Sequence, residues 1–260
     1  MTDPGSAAAL AWEETGRRGG ETLVLIHSLG HNRSMWRPQV EALADRYRII
    51  AVDLRGHGET RAAPPAETIE QHASDVLAVA DTAGVEAFHV CGISIGGMIA
   101  LWLGVHSADR LLSLIACNTA ARIGTVERWD ERIAAVRNGG LDSIRESVVA
   151  GWFSPAGAGD DPETLAAAYA AFSAASPEGY VACCRVLAST DLTDVVASIE
   201  VATLVVGGEH DGSTPPEQSR LLHDQVRGSQ LVILPGAGHL SNLDCPEDFT
   251  RSVSRFLAGR

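Results

Sequence analysis

The sequence predicts an α/β protein, a mostly parallel sheet flanked by helices, with a helical cap inserted near its middle. Three observations predict it. Apolar runs of strand length alternate with helical periodicities from Glu21 to Cys117 and again from Ala202 to Leu257, the rhythm of a parallel sheet covered on both faces. Residues 121–198 between them carry helical patterns but no strand-like run. The run Phe88–Ile93 passes through a glycine-flanked serine into a helical segment that is apolar nearly all round. The expected partition is a core of residues 1–120 and 199–260 and a cap of residues 121–198.

Taken in order, residues 7–15 suit a short strand, followed by a turn at Gly16-Arg17-Arg18-Gly19-Gly20. Glu21–His27 is a continuous apolar run, as for a strand buried on both faces. Met35–Asp45 has helical spacing at Trp36, Val40 and Leu43, with Pro38 suited to a first turn. Arg48–Leu54 is the next strand, and after a loop at Ala62–Pro65 an amphipathic helix spans Thr68–Ala83, stopped by Gly84. Phe88–Ile93 and Leu111–Cys117 are strands joined by the helix Ile95–His106. The cap should hold helices at Val126–Arg137, Leu141–Phe153, Pro162–Ala175 and Gly179–Ala188. Strands Ala202–Gly207 and Gln230–Leu234, and helices Pro216–Val226 and Pro246–Leu257, complete the chain.

Composition removes several function classes. The 260 residues include 33 acidic and 20 basic ones, a net charge of −13, so a phosphate backbone would be repelled and no nucleic-acid partner is expected. All the basic residues are arginine. A chain without lysine has no Schiff-base nucleophile, no pyridoxal-phosphate anchor and no P-loop lysine. The sequence has no uninterrupted apolar stretch long enough to span a membrane, and Met1–Ala9 lacks a secretory pattern. Five irregularly spaced cysteines fit a reducing compartment, so the expected location is cytoplasmic.

The chemistry centres on Gly92-Ile93-Ser94-Ile95-Gly96, a G-x-S-x-G turn so tight that a side chain at either flanking glycine would collide. It presents Ser94 as a nucleophile. A serine hydroxyl needs a base, and the base an orienting acid. Asp211 follows the strand Ala202–Gly207 and His239 follows Gln230–Leu234, giving the chain order nucleophile, acid, base of the α/β-hydrolase fold. Glu209 is the alternative acid; the strand ending at Cys117 offers Asn118 and no carboxylate. The backbone N–H groups of Leu29 and Ile95 are the expected oxyanion donors. Asp53 and Arg55 are expected to pair within a tight loop, and Cys91 and Cys117 to be core residues. No metal-ligand cluster is visible, and this chemistry requires no metal or organic cofactor.

These motifs resemble those of the 3-oxoadipate enol-lactonases. The resemblance rests on Gly92–Met98 with Ala100-Leu101-Trp102-Leu103 behind it, on His27-Ser28-Leu29-Gly30 with Ser34-Met35-Trp36, and on Asp53-Leu54-Arg55-Gly56-His57-Gly58. Asn118–Gly124, Gly207–Asp211 and Gly236–Leu243 extend it over nearly the whole chain, cap included. It implies a small anionic lactone as partner, opened through an acyl-enzyme on Ser94 in aromatic catabolism. Such a substrate carries a carboxylate, for which the acidic chain must supply a local cation. Arg122 at the cap entry and Arg33 are the candidates, with Trp129 and Trp152 as walls of the pocket. An esterase or a carbon–carbon bond hydrolase would use the same scaffold, and a slow small-molecule receptor is a remoter alternative.

Overall fold

The computed structural model describes residues 9–259 except 156, 158 and 160. Among the described residues seven strands form one sheet: β1 (Trp12–Gly16), β2 (Thr22–Ile26), β3 (Arg48–Val52), β4 (Phe88–Ile93), β5 (Leu111–Cys117), β6 (Thr203–Gly208) and β7 (Gln230–Leu234). Their spatial order is β1-β3-β2-β4-β5-β6-β7. Every neighbouring pair is parallel except the edge pair β1 and β3. β2, β4 and β6 are buried at every position, as expected of strands covered on both faces. The expected first strand is shorter than its apolar pattern: it begins at Trp12, and residues 7 and 8 lie outside the described residues.

The order reverses at β2, with β3 on one side and β4 on the other. In such sheets the crevice for a ligand opens at the carboxyl ends of the strands that flank the reversal. Here those ends carry the loops at Ser28 and Ser94.

Core helices α1 (Arg37–Leu43), α2 (Ile69–Thr82) and α3 (Ile95–His106) lie in the first half, and α8 (Pro216–Gln225), α9 (Ser241–Asp244) and α10 (Pro246–Ala258) in the last. α2 packs on α3 and α1 on α10, with the fully buried Trp36 ring 6.0 Å from that of Phe249. Pro38 sits in the first turn of α1, where its missing N–H costs nothing. Among the described residues no helix is long and apolar enough to cross a membrane.

Between β5 and β6 lie the cap helices α4 (Val126–Gly139), α5 (Arg145–Ala150), α6 (Pro162–Ala174) and α7 (Pro177–Ser189). The expected helix at 141–153 is broken: residues 141–143 form a 3₁₀ turn before α5. The Ser143 hydroxyl donates to the carbonyls of Ala135 and Gly140, a local bond that competes with helix continuation. The two ends of the cap are joined where Leu192 N–H donates to Ala121 O (2.9 Å), and the cap is tied to the core through backbone where Leu240 N–H donates to Trp152 O and Ser176 N–H to Gly56 O (both 2.8 Å). At Gly56 and Gly179 the two backbone segments touch so closely that a Cβ on Gly179 would stand 2.3 Å from Gly56 Cα.

Beneath the crevice lie four buried histidines, His27, His31, His57 and His72. His27 Nε2 accepts from Leu54 N–H (2.9 Å) and His57 Nε2 from Gly30 N–H (3.0 Å), so the two rings, 5.1 Å apart, stitch the loop after β2 to the loop after β3. Burial pushes all four below the ordinary histidine range, His31 and His57 to about 4 and His72 to about 3. Each is neutral when folded and takes up a proton when unfolded below about pH 6.5. Their contribution is complete above that pH and is lost as pH falls toward about 4, with His31, His57 and His72 each accounting for on the order of a few kcal/mol. The melting temperature should therefore drop steeply from pH 6.5 to pH 4. His72 is the cleanest probe, because its Nδ1 has no partner and its Nε2 meets only the Cys183 thiol at 3.7 Å among the described residues. His72→Leu should flatten that drop in a pH series of thermal melts; an unchanged slope would refute the assignment.

Candidate active site

The corner at Ser94 is forced by contact. A Cβ on Gly92 would lie 2.1 Å from Gly96 O, and one on Gly96 would lie 2.3 Å from Ile26 O in β2. With both glycines bare, the helix start can press against two strands. The turn then holds Ser94 at φ +59°, in the left-handed region that costs a non-glycine residue strain. Ser94 N–H donates to Cys117 O (3.0 Å) and its carbonyl accepts from the Thr119 hydroxyl (2.8 Å). Ile95 opens α3, and a helix's first N–H groups have no partner within the helix, so its N–H is available beside the serine.

Asp211 and His239 come together as the loop positions suggest. His239 Nδ1 lies 2.9 and 3.0 Å from the two Asp211 carboxylate oxygens, both residues being buried. Donation from Nδ1 leaves Nε2 as the nitrogen able to take a proton. Asp211 also accepts from Ser213 N–H (2.8 Å), Thr214 N–H (2.9 Å), the Thr214 hydroxyl (2.7 Å) and Asn118 Nδ2 (3.0 Å). Burial alone would raise its pKa, but the charge on His239 and these donors hold the carboxyl well below the usual carboxylate range. Glu209, the alternative acid, is exposed and instead accepts from Gly236 N–H at 2.9 Å.

Ser94 and His239 line one cavity of about 220 Å³, together with Ser28, Leu29 and Ser213 from the core. The cap supplies Trp129, Trp152, Tyr180, Arg128 and Arg132. A hollow of about 780 Å³ between α4 and α7 is larger but contains none of Ser94, Asp211 and His239.

The two tryptophans therefore reach the pocket, but the two expected arginines do not. Arg33 is engaged by Asp53, Glu59 and Glu13. Arg122 is half exposed and pairs with Asp191 at 3.4 Å, because its neighbours Ala121 and Ile123 take the inward positions of an irregular segment. Asp53 and Arg55 are not paired with each other either. Asp53 binds Arg33, while Arg55 makes a two-pronged bond to Asp75 in α2 at 2.6 and 2.8 Å, since two buried charges at one strand end each need an opposite partner. The loop that starts with these two residues bears His57, which fixes Gly30 next to Leu29.

The cations in the cavity are Arg128 and Arg132, one turn apart on α4 and each 5.9 Å over the Trp129 ring. Arg132 donates to the Tyr180 hydroxyl at 3.3 Å, and among the described residues neither guanidinium has a carboxylate partner. Burial, then the charge of Arg132, lowers the pKa of Arg128. The sequence signal for this pair was the i, i+4 spacing beside Trp129 after the helix cap Thr125. Among the described residues no group of three or more His, Cys, Asp or Glu could hold a metal ion.

A parallel sheet with a serine elbow after β4, an acid after β6 and a histidine after β7 is the architecture of one hydrolase class. The alpha/beta hydrolase family matches residues 23–252, and the chain belongs to it. Within that family it is similar to two curated 3-oxoadipate enol-lactonases of Acinetobacter baylyi. One is 33% identical over 95% of this chain and 92% of its own length, the other 34% identical over 96% and 93%. The crystal structure of the enol-lactonase from Burkholderia xenovorans LB400 superposes with a TM-score of 0.93 at 36% identity, covering 96% of each chain. The resemblance read from the motifs thus extends through the cap.

The elbow geometry makes a direct prediction. Gly96→Ala forces a methyl group against the β2 backbone and should lower the melting temperature by roughly 5–10 °C. It should also slow labelling of Ser94 by a fluorophosphonate. A variant that melts and labels like the wild type would show that the strand and helix can part without cost.

Proposed function

We propose that this protein is a serine hydrolase that opens the ring of an anionic enol-lactone, of the kind handled by its enol-lactonase relatives in the β-ketoadipate pathway. The observation that carries the reading is the cavity itself, in which Ser94 and the Asp211-held His239 face two guanidinium groups that have no carboxylate partner among the described residues. A neutral ester has no use for that charge, whereas a lactone bearing a carboxylate does.

In this mechanism Ser94 Oγ attacks the lactone carbonyl carbon while His239 Nε2 takes the hydroxyl proton. The oxygen of the tetrahedral intermediate accepts from the N–H groups of Leu29 and Ile95. The ring C–O bond then breaks, its electrons pass to the enol oxygen, and His239 returns the proton. The released enol tautomerises to a ketone within the acyl-enzyme. Water, deprotonated by His239, attacks the acyl carbon and frees Ser94. Asp211 stays ionised throughout and stabilises the imidazolium. Arg128 and Arg132 hold the carboxylate, and Trp129 and Trp152 shape the walls.

The test follows loss of the enol-lactone's ultraviolet absorbance on adding purified protein. Ser94→Ala should abolish turnover. Arg132→Ala should raise KM for the lactone on the order of tenfold to a hundredfold, as expected for a lost charge-assisted hydrogen bond. The same variant should leave KM for a neutral aryl acetate unchanged. If wild type hydrolyses the aryl ester through Ser94 but ignores the lactone, the nucleophile stands and the substrate class falls.

A further inference from the structure

The carboxyl end of β5 touches the loops of all three site residues. Cys117 O and the Thr119 hydroxyl hold Ser94, as described above. Asn118, between them, reaches the other two. Its Nδ2 donates to Asp211 Oδ2 (3.0 Å) and to Gly238 O (3.1 Å), the carbonyl of the peptide that joins Gly238 to His239. Its Oδ1 accepts from the Ser241 hydroxyl (2.5 Å), and its backbone N–H donates to Val206 O in β6 (2.7 Å). The residue is fully buried at φ +45°, a conformation tolerated by asparagine, aspartate and glycine.

These partners define the amide. A side chain flipped by half a turn would place its oxygen against the Asp211 carboxylate and the Gly238 carbonyl, two acceptors facing an acceptor. Asp211's other donors, Ser213 and Thr214, belong to its own loop; the Thr214 hydroxyl also approaches His239 Nδ1, at 3.5 Å, but among the described residues no donor other than Asn118 joins the carboxylate to the peptide ahead of the base. On the far side of Gly238, its N–H donates to Asp244 Oδ2 (2.6 Å), which also accepts from Ser154 N–H (2.9 Å). The loop that carries His239 is therefore gripped from both sides, and Asn118 joins that grip to the acid.

We propose that Asn118 is a positioning residue for the acid–base pair. Its one NH₂ group sets the separation between the Asp211 carboxylate and the peptide that carries His239, so the Asp211–His239 bond is formed before substrate enters. The proposal rests on the reading of Ser94, Asp211 and His239 as the catalytic set. It gives a function to a position that lacks a carboxylate and so has no direct part in proton transfer.

Two variants keep the backbone conformation. Asn118→Gly removes the amide, and Asn118→Asp keeps its shape while replacing the donor by an oxygen that faces two acceptors. Hydrolysis of a neutral aryl acetate is followed from about pH 5 to about pH 9, with fluorophosphonate labelling and thermal melts alongside. Asn118→Gly should lower kcat on the order of tenfold to a hundredfold, as for a misplaced reacting group, with KM within about twofold of wild type. Asn118→Asp should move the acid limb of the kcat profile upward by about one pH unit, because a second carboxylate beside Asp211 favours the protonated imidazole. A glycine variant with kcat within about twofold of wild type, or a loss confined to KM or the melting temperature, overturns the proposal. Should the glycine variant fail to fold, the aspartate profile decides, and an unmoved acid limb overturns it. Turnover retained by Ser94→Ala in the same assay would instead overturn the reading of the site, and the proposal with it.

Discussion

The contact on which the rest depends is the approach of the α3 start to the carboxyl ends of β2 and β4. Backbone atoms of Gly96 meet the Ile26 carbonyl with no room for a side chain, and Gly92 meets Gly96 in the same way. That approach turns the chain sharply enough to hold Ser94 in a left-handed conformation and to point a helix N-terminus at the crevice. It also brings the loop after β2 beside the serine, so the proposed nucleophile and the proposed oxyanion donors share one origin. Strain at Ser94 is sustained because hydrogen bonds to Cys117, at the end of β5, and from Thr119, just beyond it, hold the peptides on both sides of the serine.

Much of this was legible in the sequence because it is local. Strands such as Phe88–Ile93 announce themselves as continuous apolar runs, and the elbow's glycines encode a steric need within five residues. The order of Ser94, Asp211 and His239 is readable because each follows a strand, and parallel strands put all such loops at one sheet edge. The helix expected at 141–153 was misread because its first turn is diverted by a serine hydroxyl whose preference the apolar pattern does not carry.

The cation assignment illustrates the other limit. Arg33, Arg122, Arg128 and Arg132 are chemically alike, and only tertiary neighbours decide which are neutralised. Arg33 is consumed by Asp53 across twenty residues of chain, and Arg122 turns outward to Asp191. Among the described residues Arg128 and Arg132 have no carboxylate partner, because the stripe of α4 that buries Trp129, Ile133 and Val136 also carries them to the cavity wall. Asn118 was passed over for a related reason: its value lies in joining loops that are about 90 and 120 residues away in the chain, which no short motif records.

The backbone bonds between cap and core set a rule for redesign. Ala121 is joined to Leu192, Gly56 to Ser176 and Trp152 to Leu240, and Gly56 rests on Gly179 without an intervening side chain. The first bond closes the cap at its junction with the core, and the others key it to two core loops, one of them the loop that bears the histidine. A cap grafted from a relative would have to bring its matching versions of those loops, because a mismatch at Trp152 or Ser154 would be felt at His239 rather than absorbed at a hinge. Single substitutions on the inner face of α4 offer the smaller step, since none of these backbone bonds involves that helix.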